Sequence, residues 1–295
     1  MRVVWHRSKL PKILSSLTIP KRDLKIYMNK KAIRNTGDQR LIIPGLKSES
    51  KYTARLSTRS ALYSDMRLLL EGISVPLSGH AFRRLVLEEN RLARSSTSAR
   101  TKLWKELRGR FILDCDHPLF HSFFIEWVRC QSEPEFALTA YILFALNDRL
   151  AADLGQDWLF SNLRRAPHEI RVGDVLHFID GKAELHPEIA GWSPETKKSV
   201  ARHYMASIRD FGLAQGKVKK TTQRPALYPS PVRLLIRALR IAGVKPMALI
   251  QANIFHLLGL NGPEVIEALG ELNRRGDLRF KIQADVIELD VESAQ

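Results

Sequence analysis

Four side chains of metal-binding type lie close together in the chain: Cys115, His117, His121 and Cys130. Two thiolates and two imidazoles could in principle hold a tetrahedral zinc. Their spacing fits no familiar finger, and Asp114-Cys115-Asp116-His117-Pro118 reads as a helix-start turn, so no metal is expected. The acid pairs Asp114/Asp116 and Glu133/Glu135 flank helix starts, where carboxylates favour the helix dipole, and that accounts for them without catalysis. Glu88 and Glu89 adjoin basic residues and read as ion-pair partners. No Gly-x-x-x-x-Gly-Lys loop, no Gly-x-Gly-x-x-Gly fingerprint and no Gly-x-Ser-x-Gly elbow occurs in the sequence. The chain is therefore expected to have no cofactor, no small-molecule substrate and no enzymatic activity.

Phosphate binding is the chemistry that the residues favour. One cluster is Arg91, Arg94, Ser95, Ser96, Ser98, Lys102, Lys105 and Arg108. Hydroxyls and free backbone N–H groups at a helix start can bind a phosphate, with cations along the adjoining face. The second cluster is Lys198, Arg202 and Arg209, followed by Lys217, Lys219, Lys220 and Arg224. Both clusters are poor in acids and rich in flanking hydroxyls, which separates them from an ordinary solvated face.

The whole chain supports that reading. It has 295 residues, a formal net charge of +16 and 44% hydrophobic residues. Its pI is about 10.1 and its mean hydropathy is −0.19. So basic a balance favours a polyanionic partner. The charge is also segregated. Residues 1–50 and 51–110 carry 12 and 13 Lys+Arg against 3 and 5 acids. Residues 111–192 carry 6 against 13, residues 193–245 carry 12 against 2, and residues 246–295 carry 4 against 8. Two basic blocks around an acidic middle look like separate anion-binding faces. The two cysteines suit a reducing, cytoplasmic setting. The longest uncharged apolar run, Phe136 to Asn147, falls well short of the ~20 residues that a bilayer requires, so no membrane partner is expected.

The elements that must position these groups are helical. Residues 1–50 read as a poorly ordered basic arm, or as an upstream extension. Ser57 or Thr58 can cap a helix through Ala61, Leu62, Met66 and Leu69. A second helix runs from about Gly79 to Arg94. A third, Ala99 to Phe111, puts Leu103, Trp104, Leu107 and Phe111 on one stripe and Lys102, Lys105 and Arg108 opposite. The acidic middle predicts a bundle over Phe120 to Val128, Glu135 to Asn147 and Leu150 to Leu163. Its aromatics, Phe120, Phe123, Phe124, Trp127, Tyr141, Phe144, Trp158 and Phe160, read as core.

Asp174 to Ile179 is expected to be a short helix. Ser193 caps a long one, Pro194 to Phe211, with Val200, Tyr204, Ile208 and Phe211 inward and Lys198, Arg202 and Arg209 outward. A Gly-centred basic ribbon follows, the order of a winged helix-turn-helix. The C-terminus repeats the grammar: a helix Met247 to Leu258, another after Asn261, and a hairpin over Gly276 to Leu289. The fold class is thus mostly α, a helical bundle with winged-helix-like modules carrying short β-hairpins. The divisions are 1–50, 51–165, 166–229 and 230–295.

The segment Lys51 to about Pro229 resembles the BrxA family of BREX phage-defence accessory proteins. The likeness is carried by Tyr52-Thr53-Ala54-Arg55-Leu56-Ser57 and by Glu88-Glu89-Asn90-Arg91-Leu92 with Ser95 and the basic helix to Arg110. Trp192-Ser193-Pro194-Glu195-Thr196 and Arg209-Asp210-Phe211-Gly212-Leu213 extend it. The resemblance implies an all-helical, DNA-binding accessory protein without enzymatic activity, acting with other phage-defence proteins. Residues and resemblance together favour double-stranded DNA as partner. A protein-interaction adaptor and an RNA-binding helical protein are the alternatives.

Overall fold

The computed structural model describes residues 51–283 and 286–292. The reading of residues 1–50 as a basic arm lies outside that range. A 3-10 turn, Arg55–Ser57, comes first. Then follow α1 (Tyr63–Leu70), α2 (Gly79–Leu87), α3 (Thr97–Phe111), α4 (Pro118–Trp127), α5 (Glu133–Leu146) and α6 (Arg149–Asp153). A π turn, Leu154–Leu159, leads into α7 (Phe160–Leu163). Next come β1 (Glu169–Ile170), α8 (Val172–Ala183), α9 (Pro187–Ala190), α10 (Pro194–Asp210), β2 (Ala214–Gln215) and β3 (Lys220–Thr222). The chain ends in α11 (Pro229–Ile241), α12 (Pro246–Leu249), a 3-10 turn Asn253–Leu258, α13 (Gly262–Arg274), β4 (Arg279–Gln283) and β5 (Val286–Asp290). The fold is mostly α with small antiparallel sheets, as the periodicity predicts.

Helix α5 is the axis. Every residue from Ala137 to Leu146 is buried. A helix apolar all round must be enclosed, and α3, α4, α6 and α11 pack on it. The apolar run Phe136 to Asn147 therefore belongs to an interior helix. Among the described residues no helix is long and apolar enough to cross a membrane. Phe144 meets Phe111 of α3 and Phe211 after α10, while Tyr141 and Tyr63 also pack on Phe211. Of the aromatics assigned to the core, Trp158 and Phe160 are half-buried and the rest fully so.

Several boundaries differ from the sequence expectation. The first helix starts at Tyr63, not at a Ser57 or Thr58 cap, because residues 55–61 form a strap held by other elements. Arg110 of α3 donates to the carbonyls of Arg55, Arg59 and Ser60. Ala61 N–H donates to Ser207 Oγ of α10 at 2.9 Å, and His203 Nδ1 meets Leu56 O at 2.6 Å. Helix α2 stops at Leu87 rather than Arg94, since Asn90 and Ala93 take φ of 51° and 50°.

The expected helix over Leu150 to Leu163 contains the π turn. There Gly155 lies so close to the core that a Cβ would come within 2.5 Å of both Tyr141 Oη and Leu257 Cδ2. Met247 to Leu258 is two short elements, not one helix. The helix expected over Asp174 to Ile179 runs longer, from Val172 to Ala183.

The first sheet has strand order β1-β3-β2, all antiparallel, with Glu169 opposite Thr221 and Gln215 also opposite Thr221. Strand β1 is too short to leave an alternating signal in the sequence. Hairpin β4-β5 pairs Phe280 with Leu289 and lies where it is expected.

Helix α11 corrects the charge map. Its arginines count toward the second basic block, yet Arg233 and Arg237 are buried. Glu126 of α4 is wholly buried between them, its carboxylate accepting from Arg233 Nε at 2.7 Å and Arg237 Nε at 2.9 Å. Glu135 of α5 accepts the Ser230 N–H at the start of α11 at 3.2 Å. The acidic middle thus supplies counter-charge to α11 inside the molecule. Removing one partner from such a cluster leaves the others buried and unpaired, which typically costs about 3–5 kcal/mol. Glu126→Ala is expected to lower the urea midpoint by that much stability with an unchanged m value. A loss within about 0.5 kcal/mol, the range of ordinary surface substitutions, would contradict this account.

Candidate nucleic-acid interface

The first cationic face lies on α3. Ser96 caps the helix, its Oγ accepting the Ala99 N–H at 3.1 Å. Leu103, Leu107 and Phe111 are buried. That stripe turns Lys102, Lys105 and Arg108 outward; all three are exposed and form no ion pair among the described residues. Ser95 and Ser98 are exposed beside the cap. Arg94 and Arg91 are differently placed. Arg94 pairs with Asp65 of α1, and Arg91 donates to the Glu71 carbonyl, so both tie the loop before α3 to α1.

The second face lies on α10 and the turn after it. Ser193 Oγ accepts the Thr196 N–H at 3.1 Å, and Pro194 fills the first helical position. Val200, Ala201, Tyr204, Met205 and Ile208 are buried. Lys198 is exposed without an ion pair among the described residues. Arg202 pairs with Glu195 at 2.7 Å and also meets Ser199 Oγ. Arg209 donates twice to Asp210 Oδ1, at 3.0 and 2.6 Å.

Between β2 and β3, Lys217 and Lys219 are exposed and unpaired among the described residues, while Lys220 Nζ donates to Lys217 O at 3.0 Å. Partial burial and the neighbouring Arg209 lower the Lys220 pKa, so the end of α10 and the base of the ribbon bring their cations together.

The cations therefore divide by what holds them. Lys102, Lys105, Arg108, Lys198, Lys217 and Lys219 are bare. Arg202 sits in a solvent-exposed pair, which is weak and readily exchanged, while the Arg209–Asp210 pair is half-buried. Arg224 belongs elsewhere: it donates to Glu264 at 2.7 Å and to the Gly259 carbonyl. Burial alone would raise the Glu264 pKa. The Asn261 N–H and the Arg224 and Arg164 guanidiniums outweigh it and hold the carboxyl at about 2.

Sequence reasoning passes over Arg59. It is exposed on the strap between α3 and α10, and no periodicity marks it.

The four candidate zinc ligands do not converge. His117 Nδ1 accepts the Leu119 N–H as a helix cap. Cys130 Sγ lies against Glu126 O and Thr139 Oγ1. Burial pushes the Cys130 thiol up to about 12, and burial with Asp116 and Asp114 raises Cys115, so neither thiolate forms readily near neutral pH. Among the described residues, only Asp114, Cys115 and Asp116 group closely enough to share an ion.

Fold and site together define a helical protein whose candidate site is surface cations rather than a cleft. Residues 50–238 match the BrxA family model, more than half of the chain, and the chain belongs to that family. The family is associated with BREX phage defence, as an accessory component rather than a known enzyme family. A crystal structure of an uncharacterized protein from Magnetospirillum magneticum is similar in fold, with a TM-score of 0.51 at 14% identity. The match covers 71% of this chain and 98% of that one. Comparison with curated proteins returns no match.

The junction around Glu264 and His256 makes stability pH-dependent. Glu264 has a folded pKa of about 2 against an ordinary 4.5, so its stabilisation is complete above 4.5 and lost as pH falls toward 2. His256 stacks on Phe160 at 3.7 Å, and burial lowers its pKa below the ordinary 6.5. The unfolded chain therefore takes up that proton first, and stability begins to fall as pH drops through 6.5. Thermal midpoints are expected to decline in two limbs on acidification. His256→Phe should make the upper limb shallower, with His121 carrying the rest, and Glu264→Gln should do the same to the lower limb, with Glu106 remaining. Unchanged profiles would sink this assignment.

Proposed function

We propose that this BREX-family chain is a non-enzymatic accessory protein that binds double-stranded DNA, mainly through phosphates, in the cytoplasm. The observation that carries the reading is the arrangement of residues 166–229. A strand, two helices, the long helix α10 and a two-stranded ribbon follow one another, and the ribbon pairs back onto the first strand in the order β1-β3-β2. We read this as a winged helix-turn-helix with α10 as its recognition helix.

Physical chemistry supports that assignment. The buried stripe of α10 fixes which face is outward. Lys198 and Arg209 lie eleven residues apart, or ~16 Å at 1.5 Å per residue, a span suited to the phosphates along one groove. Bare lysines there have condensed counterions to displace from DNA and no carboxylate to leave behind. Residues 51–165 then act as the scaffold that presents the module, and 230–295 as an assembly surface toward other defence proteins.

Fluorescence anisotropy with the full chain and a duplex tests the reading. Affinity should fall steeply with salt, with a log–log slope of ~−0.9 per phosphate contact. A flat response, or no binding at low salt, would remove DNA as the partner. Preference for structured RNA would favour the RNA alternative.

A pair of double variants locates the surface. Lys198→Glu with Lys219→Glu and Lys102→Glu with Lys105→Glu change the net charge equally, so the global field cancels in the comparison. The α10 pair should lose more affinity, about tenfold or more beyond the α3 pair. Equal losses would mean a diffuse surface, and the reverse order would move the interface to α3.

A further inference from the structure

Val218 is 94% exposed, the most exposed of the large apolar side chains among the described residues. It sits between Lys217 and Lys219, at the tip of the ribbon joining β2 to β3. Turn chemistry does not explain it, because tips favour Gly, Asn, Asp and Ser over a β-branched residue. Nothing in the described chain packs on it.

The tip is also built rather than loose. Gly216 takes a φ of +97°, and a Cβ there would come within 2.0 Å of the Lys219 carbonyl. Only glycine lets the chain fold back this sharply. Lys220 Nζ closes the turn on the Lys217 carbonyl at 3.0 Å, and Gln215 and Gln223 bond across the base at 2.6 Å. The result is a narrow support that ends in one apolar side chain with a cation on either side.

We infer that this tip enters the minor groove of duplex DNA, with Val218 against the sugar walls and Lys217 and Lys219 on the two flanking phosphate strands. The inference rests on the DNA-binding reading above and names the groove and the contact. Its geometry follows from widths. A two-stranded ribbon has strands ~4.8 Å apart before side chains are added, so only its tip can enter a groove ~6 Å wide. With α10 against the major groove, the adjoining minor groove is the surface within the ribbon's reach, and its walls are deoxyribose, an apolar face between two rows of phosphate. An apolar tip between two lysines matches that cross-section. A tip meant only for phosphate would gain nothing from valine.

The test is anisotropy with the full chain and Val218→Ser, beside Val218→Ile and Lys219→Ala. Removing the apolar contact should weaken binding about tenfold with an unchanged salt slope, since no charge is lost. Val218→Ile should bind as the parent does. Lys219→Ala should shift the slope by about one phosphate contact. A minor-groove ligand should compete with the parent and not with Val218→Ser. Because Val218 is exposed, its variants should keep the parent's thermal midpoint, so a lost contact is not confused with a lost fold. Binding of Val218→Ser equal to the parent would overturn the minor-groove contact while leaving DNA binding intact. Failure of the parent to bind any duplex would instead remove the reading on which the inference stands.

Discussion

A single carboxylate, that of Glu126, holds the acidic middle of the described chain to its C-terminal part. It has no exposed surface, and each of its oxygens meets a different arginine of α11. Those arginines reach further: Arg233 to the Asp277 carbonyl and Ser230, and Arg237 to Glu292. A helix from the acidic middle is thereby locked to α11, and α11 to the turn before β4 and the end of the last hairpin. The arrangement is tolerable only because nearly every polar atom in it finds a partner, since desolvating charges is expensive and the ion pair by itself rarely repays it. Orientation is what the cluster contributes. Apolar packing between α4, α5 and α11 would permit sliding, whereas two guanidiniums on one carboxylate fix the register.

This cluster also marks where sequence reading stops. Helix α5 is legible from its unbroken apolar run, α3 and α10 from their stripes and their Ser96 and Ser193 caps, and the last hairpin from its alternation. Each signal is local, lying within one or two turns of the residue that creates it. Arg233 and Arg237 look like the solvated face of a basic helix, because the residue that neutralises them is about a hundred positions away. The strap over residues 55–61 fails for the same reason. Its Ser and Thr suit a cap, but Arg110, His203 and Ser207 claim its backbone groups. Strand β1 is invisible because two residues carry no period. Long-range polar pairing is the common element in the first two of these misses.

The candidate interface divides along the same line. Types and spacing identify both cationic faces, and every exposed, unpaired lysine named above is on one of them. What spacing cannot separate is a cation facing solvent from one answering a carboxylate. Arg224 and Arg94 belong to the scaffold by that measure, and Arg202 sits between the groups in an exposed pair that a phosphate could displace. Many of the residues that carry the family resemblance are structural in this sense. Arg55 donates to the Gly109 carbonyl, and Asn90 receives the Arg94 N–H. Arg55 and Asn90 thus belong to the frame on which the cations stand rather than to the cations themselves.

The strap has a consequence for the order in which the molecule assembles. Its bonds to α10 join residues 146 and 147 positions apart, while its bonds to Arg110 span only 50 to 55. A chain leaving the ribosome at ~5–20 residues per second supplies the residues of the nearer set several seconds before those of the farther one. Until α10 has been synthesised, Arg110 is the only one of these partners available to the strap, and the Leu56 carbonyl and the Ala61 N–H have water in place of His203 and Ser207. The arrival of α10 closes the second side and completes the frame behind its outward lysines. The surface proposed for DNA thus matures late in synthesis, when the carbonyl and amide it displaces from water are already waiting in place.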